Sequence, residues 1–102
     1  MSDEGGPSGA ADPIAARLAA SAQRGEAVAV ATAVNGPFAG ARLLVWPAGH
    51  TFGDLGWPRL NQRVALYAEQ LFDRSGRAET VKRFTVPGAG KIDVRLTFPE
   101  IR

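Results

Sequence analysis

The chain has one histidine, and it stands four residues before an acid, in His50-Thr51-Phe52-Gly53-Asp54. In a glycine-bearing loop that spacing lets an imidazole and a carboxylate reach each other, the start of an acid–base pair. Catalysis also needs a nucleophile or a substrate proton in position. The candidate hydroxyls stand elsewhere: Ser2 and Ser8 near the start, Ser21 inside a helical pattern and Ser75 at a helix end. None has the strand-to-helix setting of a nucleophile elbow. The absence of cysteine removes thiolate nucleophiles, disulfides, iron–sulfur clusters and thiolate zinc sites together. His50 with Asp54, Asp73 or Asp93 offers no ligand pair at helical i, i+4 spacing, so no metal site is expected. An enzyme is the class these residues favour least.

A second chemistry is suggested by Gly49, Gly53 and Gly56, which run into Pro58 at the start of a helical pattern. Main-chain N–H groups at such a turn attract anions. The expected ligand site is Gly53, Asp54 and Gly56, with Arg59 and Arg63 one helical turn apart beside them. Neither the dinucleotide fingerprint nor the Walker loop is present, and Trp57-Pro58 puts a ring and a missing N–H where a phosphate would dock. The competing reading is a set of turns around a very short strand.

Charge is balanced, with 12 basic against 10 acidic residues and a net charge of +2. The sequence pI of 9.7 reflects ten arginines rather than a one-sided surface. Basic residues are densest between Arg59 and Arg83, but Glu69, Asp73 and Glu79 are interspersed, so nucleic-acid binding is not favoured. Trp46 and Trp57 are either half-buried core residues or partner anchors.

The elements that must position these residues follow from periodicity. The chain of 102 residues is enough for one domain. Residues 1–12 read as a tail of small and acidic residues with little to bury, and 13–102 as one domain. Asp12-Pro13 has the form of a helix start, with Ile14, Leu18 and Ala22 on one stripe and Gly25 as the stop. Residues 27–34 alternate bulky Val28, Val30, Thr32 and Val34 with four alanines, as a central strand with two apolar faces would. Residues 41–46 form a second strand, paired antiparallel through a short connection, and residues 47–58 have room for a third. A helix from Pro58 carries Leu60, Val64, Tyr67, Ala68 and Leu71 on one face and ends at Ser75-Gly76. Residues 79–86 and 91–98 form a hairpin around Pro87-Gly88-Ala89-Gly90, with Ile92, Val94, Leu96 and Phe98 on one side. The expected fold is α+β, a two-layer domain with a mixed, mostly antiparallel sheet and two helices, in the order α-β-β-(β)-α-β-β.

In that order the pieces are recognisable. Gly25 to Val34 (GEAVAVATAV) resembles the strand that opens the N-terminal domain of the XdhC/CoxI family, and Gly40 to Val45 (GARLLV) is similar to its second strand. Gly49 to Gly56 (GHTFGDLG) resembles its glycine loop, and Gly90 to Glu100 (GKIDVRLTFPE) its closing strand. The resemblance implies a bacterial, cytoplasmic accessory factor or chaperone that binds molybdenum cofactor (molybdopterin) and delivers it to a molybdenum hydroxylase such as xanthine or carbon monoxide dehydrogenase. Members usually carry a second, Rossmann-type accessory domain, which has no counterpart in this sequence. The family's cysteines are replaced by Gly56-Trp57-Pro58 and Pro87-Gly88-Ala89-Gly90, so thiolate chemistry does not carry over. The alternative is a homodimer or partner-binding module without a small ligand, in which a second copy completes the row from Ile92 to Phe98. No sequence stretch approaches the ~20 apolar residues of a membrane span.

Overall fold

The computed structural model describes residues 12–72 and 79–99. Helix α1 (Pro13–Gln23) leads into β1 (Ala29–Ala33), β2 (Arg42–Val45) and β3 (Thr51–Gly53). Helix α2 (Pro58–Phe72) follows, then β4 (Thr80–Val86) and β5 (Gly90–Thr97). The strands form one sheet in the order β3-β2-β1-β5-β4, and each of its four pairings is antiparallel. The α+β class and the element order are as expected, whereas no parallel pair occurs among the described residues.

Asp12 starts α1 by accepting the Ala15 amide at 3.2 Å, with Pro13 behind it where a missing N–H costs nothing. The same carboxylate reaches Arg42 of β2 at 2.7 Å, so the first described residue is tied to the sheet. Asp12 is therefore part of the domain, and the tail expected over residues 1–11 lies outside the described residues. Gly25 ends the helix at a φ of 72°, a left-handed position that suits glycine. The inward stripe of α1 is half-buried Ile14 and Leu18 with buried Ser21. Ala22 is exposed and does not belong to it.

Strand parity separates the two cores. Val28, Val30, Leu44 and Trp46 face α1, while Ala29, Ala31, Ala33, Leu43 and Val45 face α2 with Leu60, Val64 and Ala68. The helices thus take opposite faces, and the sheet is sandwiched between them at β2, the strand both approach most closely. The two-layer expectation is corrected here to helix, sheet, helix, because α1 packs on the Val28, Leu44 and Trp46 face and α2 on the Ala29, Leu43 and Val45 face, with α1 covering only the β3-β2-β1 half of its side. The rest of that face stays wet, with Lys91 and Arg95 exposed. β1 ends at Ala33, one residue short of the expected strand, and Val34 is exposed before the bend at Asn35-Gly36. Ile92, Val94 and Leu96 are buried inside the chain, so this row does not await a second copy. The end of α2 expected at Ser75-Gly76 falls outside the described residues. None of the helices among the described residues is long and apolar enough to cross a membrane.

Candidate functional site

β2 and β3 form a hairpin around residues 46–50, closed by Gly49 N–H to the Trp46 carbonyl at 2.8 Å. The His50 ring stacks on Trp46, with centroids 4.7 Å apart and planes 12° from parallel. Trp46 itself is buried and donates from Nε1 to the buried Ser21 Oγ at 3.0 Å. His50 is thus a packing partner at the hairpin end.

Asp54 lies beyond β3 and serves a different purpose. Its Oδ1 accepts the Gly56 amide at 2.8 Å and Asn61 Nδ2 at 3.0 Å. The Asn61 hydrogen bond, followed by the Gly56 one, holds its carboxyl below the usual carboxylate range. An anion so stabilised is a weak proton acceptor near neutrality. Its described partners are Gly56 and Asn61, so the structure forms no His50–Asp54 acid–base pair.

The same bonds close the glycine loop. The Asp54 amide donates to the Arg42 carbonyl at 3.2 Å, the Leu55 amide to Asn61 Oδ1 at 2.9 Å, and the Gly56 amide to Asp54. Leu55 is fully buried and pins the loop to the core. Over the loop, Trp57 and Phe38 meet edge to face at 5.1 Å, and a Cβ on Gly56 would fall on the Phe38 ring. An anion nest needs free amides, and these three already have acceptors. The cradle expected at Gly53, Asp54 and Gly56 is therefore corrected to a self-sealed turn.

The expected arginines do not converge on it either. Arg59 is exposed on α2, and Arg63 Nη1 donates to the Thr85 carbonyl at 3.2 Å. Thr85 belongs to β4, at the opposite edge of the sheet from β3, about 19 Å away across four strand spacings. The residue that sequence reasoning missed is Asn61. Its only signal was an amide side chain in the first turn of a helix that follows a glycine loop.

An open groove of about 370 Å³ does lie beside the loop, between the β2–β3 hairpin and α2. Gly49, Thr51, Gln62 and Leu66 line it, and Glu69 is its one charged residue. A phosphate-bearing pterin would meet a carboxylate there and no cation. No thiolate exists in the chain, and no group of three or more His, Asp or Glu able to hold a metal ion occurs among the described residues. The donor set at this loop does not fit a molybdenum cofactor.

The loop nevertheless falls within a region of clear kinship. The family model of the XdhC and CoxI family matches residues 21–85, from the end of α1 through β4, with the glycine loop near its middle. The closing strand, whose resemblance rested on Gly90 to Glu100, lies beyond the match. A search of curated proteins found no match. With well over half its length matched, the chain belongs to the XdhC and CoxI family.

Proposed function

We propose that this chain is a non-catalytic accessory protein of molybdenum hydroxylases, working by contact with the enzyme and without holding the pterin cofactor at its glycine loop. Family membership supports the accessory role. The observation that carries the second half is the sealed loop, where the amides of Asp54, Leu55 and Gly56 are satisfied from within.

The test is a pair of titrations with the full chain. Apo-molybdenum hydroxylase immobilised on a biosensor should bind it saturably. Molybdopterin, followed by quenching of tryptophan fluorescence, should not. Saturable cofactor binding that disappears in Arg59→Ala and Gly53→Val would restore the carrier role, and no binding to the apoenzyme would remove the accessory one.

A further inference from the structure

We infer that the free edge of β4, together with the flank of α2 beside it, is a docking site for an acidic, extended segment of a partner protein, which adds to the sheet as a sixth strand. This surface goes beyond the accessory reading and stands without it.

Among the described residues β4 is the outermost strand on its side and pairs only with β5. Alternate N–H and C=O groups along the Val81–Thr85 stretch therefore face away from β5. At seven residues it is more than twice as long as the opposite edge strand, the three-residue β3. An exposed edge of this length has room for an added strand, and the charges on it decide which strand can pair.

The chemistry around that edge is cationic and aromatic. Lys82 Nζ sits 5.0 Å from the Tyr67 ring and 5.9 Å from the Phe84 ring, and the Arg63 guanidinium is 5.9 Å from the Phe84 ring. Neither Lys82 nor Arg63 has an acidic partner among the described residues, whereas Arg83 and Arg95, on the other face, pair with Asp93 and Glu79. Helical phase explains the asymmetry. Arg59, Arg63 and Tyr67, four residues apart, fall on the flank of α2 towards β4, and Glu69 falls on the flank towards the hairpin groove.

The same charges select the occupant. In the central register, β4 of a second copy would set Arg83 against Arg83, with the two Lys82 close by, and like charges across a ladder repel. An incoming strand with acids at its centre answers Lys82 and, on the same face, Arg63, while Arg83 keeps Asp93 as its partner. Arg63, which now donates to the Thr85 carbonyl, is released to a carboxylate when the partner's N–H takes that acceptor.

The probe is a fluorescein-labelled peptide of valines and threonines around a central pair of glutamates, titrated with the full chain by anisotropy. Saturable binding is expected, with amide shifts confined to β4 and its neighbours by NMR. Exposed ion pairs contribute modestly, so charge reversal in Lys82→Glu should weaken binding roughly tenfold, and Lys82→Arg should retain it. Lys82 is exposed, so both variants should keep the wild-type circular dichroism. A lysine-pair peptide and an N-methylated peptide should both fail to bind. Equal binding of the N-methylated peptide, tighter binding of a single-stranded oligonucleotide, or an unchanged Lys82→Glu affinity would each overturn the proposal. Apoenzyme binding that survives Lys82→Glu would leave the accessory reading intact and move its contact off β4.

Discussion

Trp46 Nε1 donates to Ser21 Oγ at 3.0 Å, a hydrogen bond between two buried side chains that joins the end of α1 to the end of β2. Each group is the partner the other needs away from water. Ser21→Ala leaves the indole N–H without this acceptor and should cost about 1–3 kcal/mol in urea unfolding. Trp46→Phe removes the donor, and the double variant should lose less than the sum of the two single changes. Additive losses would mean that the bond contributes nothing.

Asn61 closes the glycine loop from the helix side. Asn61→Ala orphans the Leu55 amide, at a residue with no solvent exposure, and should cost about 1–3 kcal/mol. Hydrogen exchange should rise at Leu55 and Gly56 while the β1–β5 amides stay protected. Uniform acceleration across the sheet would instead place Asn61 in the global fold.

Gly56 has a φ of 109°, and a Cβ there meets the Phe38 ring. Gly56→Ala should therefore destabilise by about 1–3 kcal/mol from backbone strain alone, with the ring clash in addition. Phe38→Ala in the same chain should recover the clash and leave the strain. An unchanged melting temperature in the single variant would refute both contributions.

Asp12 is held below its usual range chiefly by its hydrogen bond to Arg42, with the Ala15 amide adding to it. A carboxyl depressed in the folded state adds stability above its unfolded pKa, and that contribution is lost as pH falls through the folded value. Asp12→Asn keeps a capping oxygen but not the charge. It should be less stable than wild type at pH 7, and the gap should close as pH falls below about 4. A constant gap across that range would exclude the charge as its source.

Much of the architecture was legible from local pattern. Asp12-Pro13 announced α1, the alternation at residues 27–34 announced a strand apolar on both faces, and Pro87-Gly88 announced the last hairpin. The arrangement of the helices was not. Parity tells which residues share a face, but α1 and α2 are both amphipathic and nothing local says which face each will cover. The family's glycine loop was legible in Gly49, Gly53 and Gly56, whereas its occupancy was not. Glycine spacing gives the bend, but whether the amides are free depends on Asp54 and on Asn61, whose side-chain reach no spacing rule encodes. Arg59 and Arg63 share a helix flank as their spacing required, yet that flank faces β4, which is set by how α2 lies on the sheet.

The sheet order has a consequence for how the molecule assembles. β1 is the central strand, and its second neighbour, β5, lies far along the chain from it, with Val30 opposite Thr97. Closing that pair joins segments more than sixty residues apart in the chain, an entropic step that slows folding. Until the β4–β5 hairpin emerges from the ribosome, a nascent chain holding β1, β2 and β3 exposes an unpaired edge of alanine and valine. During that interval the open edge of β1 is exposed to mispairing with other chains.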